Sequence, residues 1–295
     1  MDSSRERRVH TAAAECGANF HKQRFTSLWT GQESLIRDHL AGAHESLPDA
    51  SWLGAVRFCR MVAADEAPGG LRLRELVWGS RCEPGNRSLQ SNITLVPRQD
   101  GVVEFDCYAD TGEIYWQGTI DAITPSAEDS ETLECRGPVT ERNVPVTELG
   151  QALSGVGKRY GGSFAAVEAL WLGNGTASAD LVLPTSLRCR GNVFWLHPVI
   201  LTRALDVAWI VGSEGGNLPS DRPQLAAIEQ IVVDGRLPDA VQVSVRAQSG
   251  ADGLTRDLAI SAGGRILAKL SGVKFRTDHD IGHEGLSEEN RHGNR

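Results

Sequence analysis

The sequence predicts an α+β protein built as two halves of one plan, each an apolar helix covered by a strongly bent antiparallel sheet. Three observations lead there. Two windows, 49–63 and about 198–210, carry apolar residues at helical spacing. Short strand-like runs separated by tight turns fill much of the remainder, as in an antiparallel meander. Between the halves, residues 123–148 are polar, hold three prolines and show no sustained period. A sheet with one apolar face must cover it, and wrapping around a single long helix does so.

Taken in order, residues 1–23 are polar and Ala-rich and read as a linker, so the first half is expected over 24–122. Its helix, 49–63, places Trp52, Ala55, Val56, Cys59 and Val62 on one face, with Pro48 and Asp49 marking the start. Strands are predicted at 88–96, 102–109 and 113–123, separated by Pro97-Arg-Gln-Asp-Gly and Asp110-Thr-Gly. After the 123–148 connection the second half is expected over 149–276. It opens with strands at 165–172 and 176–183 around a Gly-Asn-Gly turn, followed by the helix at about 198–210. Strands near 224–233, 240–248, 254–261 and 265–275 close it. Residues 277–295 are charged and nearly free of apolar residues, and are expected to be a disordered tail.

Composition narrows the function. Hydrophobic residues make up 40% and charged residues 23%, as in a globular protein, and the net charge is -8. Without a long basic block, nucleic acid and anionic membranes are poor partners. No apolar run follows the basic residues of the N-terminus, so no signal peptide and a cytoplasmic location are expected. The most apolar window, Val193–Gly212, holds His197, Thr202, Arg203 and Asp206, which suits a buried helix better than a membrane span. The six cysteines form no CxxC and pair with no His at zinc spacing, so they read as reduced thiols and no metal site is expected.

Several motifs fail on inspection. Residues 155–162, GVGKRYGG, are glycine-rich, but Ala152 and Arg159 stand where a phosphate loop needs Gly and Ser or Thr, and Tyr160 stands where a dinucleotide loop needs its third Gly. Three clusters remain: Asp38-His-Leu-Ala-Gly-Ala-His-Glu-Ser-Leu-Pro48, Gly157-Lys-Arg-Tyr-Gly-Gly-Ser-Phe164 and Leu196-His-Pro-Val-Ile-Leu-Thr-Arg-Ala-Leu-Asp206. In this order they resemble the dehydratase domains of modular polyketide synthases, over residues 24 to 276. His39 stands nine residues before Pro48, as in that family's first motif. Tyr160–Phe164 is similar to its Tyr-Gly-Pro-x-Phe segment, with Gly162 for Pro, and His197-Pro198 with Leu201 to its His-Pro-x-Leu-Leu-Asp segment. Trp116-Gln-Gly118 and Asp257-Leu-x-Ile are smaller matches. The resemblance implies a double hotdog.

The departures bear on chemistry. The family's Gly four residues after its His is Ala43 here, with Gly42 one earlier, and its catalytic Asp is Thr202. Dehydration of a β-hydroxyacyl thioester needs a base for the α-proton and an acid for the leaving hydroxyl. His39 can be the base; a Thr hydroxyl cannot be the acid. Asp206, one helical turn beyond Thr202 on the same flank, is the alternative carboxyl, either donating a proton from there or merely hydrogen-bonded. His39 itself reads as a base or as a structural remnant, and Tyr160 as a holder of a substrate carbonyl or as packing. By the resemblance, Thr202, Tyr160, Gly161, Pro48 and His197 face or shape the substrate site, with His197-Pro198 setting the start of the second helix.

The resemblance further implies a polyketide thioester carried on the phosphopantetheine of an acyl carrier protein, no other cofactor, and a ketosynthase as neighbour in a multidomain synthase. A base without its acid favours Michael-type chain branching or cyclisation over dehydration. The alternatives are an enoyl isomerase and a catalytically inactive scaffold.

Overall fold

A computed structural model describes residues 22–42, 44–64, 70–83, 88–123, 142–188, 194–211, 224–248 and 255–276. The linker expected over 1–23, all but its last two residues, the middle of the 123–148 connection and the tail after 276 lie outside the described residues. Twelve strands form one sheet. In the first half these are β1 (Gln23–Trp29), β4 (Gly70–Trp78), β5 (Leu89–Pro97), β6 (Val103–Ala109) and β7 (Ile114–Ile123). The second half supplies β8 (Arg142–Asn143), β10 (Val167–Gly173), β11 (Thr176–Val182), β12 (Gln224–Val233), β13 (Ala240–Ala247), β14 (Thr255–Ala262) and β15 (Arg265–Arg276). Their order is β1-β5-β6-β7-β4-β12-β15-β14-β13-β11-β10-β8. The halves meet where β4 pairs antiparallel with β12, Leu71 opposite Val233 and Val77 opposite Ala227, so the sheet runs unbroken from one half into the other.

Each half wraps a helix. In the first, α2 (Ser51–Ala64) buries Trp52, Leu53, Val56 and Cys59. Val62, expected on the apolar face, is exposed instead. In the second half a short helical turn, α4 (Thr185–Arg188), precedes the central helix, α5 (Pro198–Ile210), and every residue of α5 is buried, including Thr202, Arg203 and Asp206. It lies on β11, β13 and β14 and touches α2. A helix apolar all round belongs in a core, so the polar groups it carries inward are placed for a reason other than solvation. Among the described residues no helix is long and apolar enough to cross a membrane.

Smaller elements tie the halves together. A helical turn, α1 (Ser34–Arg37), leads into β2 (His39–Ala41), which pairs on one side with β3 (His44–Glu45) and on the other with β9 (Lys158–Tyr160). The segment read as a structureless connection over 123–148 ends differently: β8 pairs with β10, and α3 (Val146–Gly155) begins at Val146, right after Pro145. Leu149 and Leu153, four residues apart, bury one face of this short helix.

Candidate active site

The β2–β9 pairing sets the site. His39 lies opposite Tyr160 and Ala41 opposite Lys158, so one short antiparallel ladder aligns the first two sequence clusters. The turn after β2 brings Gly42 against Gly157: the Gly42 amide donates to the Gly157 carbonyl at 2.7 Å, and both residues have positive φ. Such close backbone passage at left-handed φ suits glycine at both positions, which accounts for a glycine at 42.

His39 is buried, its ring 5.5 Å from those of Tyr160 and Phe164, centre to centre. Its Nδ1 lies 3.0 Å from the Ser46 carbonyl oxygen, an acceptor, so Nδ1 carries the proton and Nε2 keeps its lone pair. Ser46 Oγ is also 3.0 Å from Nδ1. Burial, reinforced by the Lys158 ammonium, lowers the His39 pKa from 6.5 to about 4, so the ring is neutral at neutral pH.

His39 faces a narrow cavity of about 40 Å³, bounded also by Ser46, Asp49, Arg81, Lys158 and Thr202, with Leu205, Leu225 and Phe275 among its apolar walls. That is room for about one water. Both halves contribute to it. The Thr202 hydroxyl is buried and, among the described residues, has no hydrogen-bond partner, a rare state for a buried polar group unless something else is to satisfy it.

Asp206 does not line this cavity. It is wholly buried behind it: Oδ1 accepts from Lys158 Nζ at 3.1 Å and from the Tyr160 hydroxyl at 3.1 Å, and Oδ2 accepts from Arg203 Nη1 at 2.7 Å. The Arg203 guanidinium also stacks 4.6 Å from the centre of the Tyr160 ring. Donation by Asp206 from one turn along α5, one of the two roles expected for it, therefore meets a geometric obstacle. Two cations and a phenol use both carboxylate oxygens as acceptors, and none of them is substrate. Burial and the adjoining carboxylate push the Tyr160 phenol well above its usual range, so it stays a donor to Asp206.

The remaining expected site residues lie around this centre. Pro48 is buried at the approach to α2, and its carbonyl accepts from the Ser51 amide at 2.8 Å. Gly161 adjoins Asp38: its amide donates to the Asp38 carbonyl at 2.8 Å, while Asp38 Oδ2 accepts from the Ser163 amide at 2.9 Å. His197 caps α5, its Nδ1 accepting from the Val199 amide at 3.2 Å, and it faces a second hollow bounded by Phe194, Arg236 and Asp239. Burial lowers its pKa to about 4, against the pull of Asp239. Sequence reasoning assigned no role to Lys158 or Arg81, and took Asp49 only as a helix start. The available signal for Asp49 was an acid directly after the Pro that ends the His39 motif.

Known proteins resemble this chain in sequence and in fold. The chain is 25% identical over 235 residues to polyketide synthase PksL of Bacillus subtilis (strain 168), covering 76% of this chain and 5% of that protein. It is 24% identical over 288 residues to PksM of the same organism, covering 91% of this chain and 7% of the relative. The chain thus spans a small fraction of these curated relatives. Among solved structures, the dehydratase domain from the CurF module of curacin polyketide synthase superposes with a TM-score of 0.77 at 15% identity, covering 89% of this chain and 96% of that one. A dehydratase domain of a trans-AT polyketide synthase from Brevibacillus brevis gives 0.76 at 23% identity, covering 87% and 94%. These likenesses establish the double hotdog. Residues 128–280, more than half of the sequence, match the family model for the polyketide synthase dehydratase N-terminal domain, and the chain therefore belongs to the polyketide synthase dehydratase family.

Proposed function

We propose that this chain is a non-dehydrating domain of a modular polyketide synthase. It receives a polyketide thioester on the phosphopantetheine of an acyl carrier protein, beside a ketosynthase, and handles protons in a Michael-type addition that branches or cyclises the chain. No further cofactor is needed for such proton transfer. One observation carries the reading. The cavity presents the His39 lone pair, while the position on the second helix where the family resemblance places an acid presents only the hydroxyl of Thr202, and Asp206 is engaged with Lys158, Arg203 and Tyr160. A neutral, desolvated imidazole can take a proton from a nucleophile held at the β-carbon. Thr202 can hold a substrate oxygen by hydrogen bond but cannot protonate a leaving hydroxyl.

The test compares wild type with His39→Gln in a reconstituted module, with circular dichroism establishing that both fold. Gln keeps approximate size and hydrogen bonding but accepts no proton near neutral pH. Product should fall by ~10²-fold or more. Offered a β-hydroxyacyl carrier protein, the wild-type domain should give little enoyl product by mass spectrometry. Rapid water loss would overturn the non-dehydrating reading. A shifted double bond in place of addition would make the domain an enoyl isomerase, and turnover unaffected by His39→Gln would leave it a scaffold.

A further inference from the structure

The cavity does contain a carboxyl group, contributed by the first helix rather than the second. Among the described residues that line it, Asp49 is the one acid, sharing the walls with His39, Thr202, Arg81 and Lys158. Its position is fixed by the turn leading into α2, where the Ser51 amide donates to the Pro48 carbonyl at 2.8 Å and the Trp52 amide to the Asp49 carbonyl at 3.3 Å. Asp49 is half-buried between the buried Pro48 and Ala50 and lines the cavity.

We propose that Asp49 is the proton donor of this cavity, working opposite His39 in place of the carboxyl that the second helix lacks. The proposal rests on the reading of the cavity as a proton-transfer site for an unsaturated thioester. For a hydroxyl nucleophile the step balances as follows. His39 Nε2 takes the hydroxyl proton, and an oxygen electron pair forms the new C–O bond at the β-carbon. The C=C pair moves toward the thioester as an enolate. The α-carbon then takes the proton of the Asp49 carboxyl, whose O–H pair remains as carboxylate. The proton on His39 returns to Asp49 through cavity water, so no proton is gained or lost overall.

Burial shifts both groups toward their uncharged forms. Burial raises the Asp49 pKa above the ordinary 3.8, opposed by Arg81 beyond β4, Lys158 on β9 and Arg276 at the end of β15. The carboxyl thus holds its proton to higher pH than an exposed one, while His39 stays neutral down to about 4. Activity should be lost as pH falls through about 4, where His39 becomes charged, and lost again as pH rises through the Asp49 pKa.

The experiment uses the purified domain and an acyl-carrier-protein-bound α,β-unsaturated thioester whose own hydroxyl can close a six-membered ring. The product is followed chromatographically, and in D₂O by label at the α-carbon. Asp49→Asn should slow ring closure by ~10²–10⁴-fold and remove the alkaline limb of the pH profile from what activity remains. Its thermal midpoint should equal or exceed the wild-type value, since a carboxyl disfavoured by burial is replaced by an uncharged amide. Asp49→Glu should retain part of the activity with a displaced alkaline limb. Wild-type turnover in Asp49→Asn would overturn the proposal, as would an unmoved alkaline limb in Asp49→Glu, which keeps the test open if the Asn variant fails to fold. Should the wild type instead dehydrate a β-hydroxyacyl carrier protein, the non-dehydrating reading falls by itself; Asp49 remains the donor if Asp49→Asn stops that water loss and is eliminated if it does not. Wild-type protein inert toward both probes would sink both.

Discussion

At the scale of single residues, the buried cluster behind the cavity is held by charge. Asp206 has no solvent exposure, and the Lys158 and Arg203 side chains that it pairs with are 18% and 6% exposed. Removing one partner from a buried ionic group leaves the others uncompensated, which costs about 3–5 kcal/mol. Asp206→Asn removes the charge between Lys158 and Arg203 while keeping one amide oxygen that can accept from Tyr160, and is therefore expected to lower the urea midpoint by that equivalent. If Asp206 were instead a proton donor with no part in the fold, the variant would unfold like wild type and lose only turnover. Equilibrium denaturation beside a turnover assay separates the two. His39 was legible from its nine-residue spacing to Pro48 and lies in the cavity, whereas the surroundings of Asp206 were not. Lys158 is 48 residues away in sequence, and no local pattern announces an ion pair across that distance.

Elements differ in how plainly the sequence spells them. The helix expected at about 198–210 and the six longer strands of the second half lie where the sequence pattern put them, because each shows its pattern over seven or more residues. β4 escaped notice for a specific reason. Leu71 and Leu73 face the core, then Leu76 and Trp78 do, so the alternation slips by one. The slip falls at a bulge between Arg74 and Val77, where Glu75 adopts a φ of 56°. The three-residue strands β2 and β9 are too short to show any period, although they position His39. Their junction gives an element-scale prediction. A β-carbon at Gly161 would lie 2.5 Å from Asp38 Cγ and 2.9 Å from its Cβ. Gly161→Ala must displace the residue that directly precedes His39, and should cost about 1–3 kcal/mol and reduce turnover even though its methyl group does not enter the cavity. Adding Asp38→Ser to Gly161→Ala should recover part of the stability by making room. A single variant as stable and active as wild type would show that β2 does not depend on this contact.

For the whole molecule, continuity of the sheet is decisive. β4 and β12 satisfy each other's backbone across the boundary between halves, and separating them would leave two bare strand edges, a template for association. A fragment ending near residue 125 should therefore be insoluble or associate, and the intact chain should unfold in one cooperative transition when followed by both tryptophan fluorescence and far-ultraviolet circular dichroism. Two separated transitions would mean that the halves are stable alone. The cavity adds a consequence for anyone wishing to transplant it. Because β2 from one half and β9 from the other form a single ladder, the portable module is neither half. It is two distant strips, 39–49 and 157–164, cut and moved together with the α5 residues behind them, and a chimaera spliced at the midpoint of the chain would inherit two incompatible walls of one room.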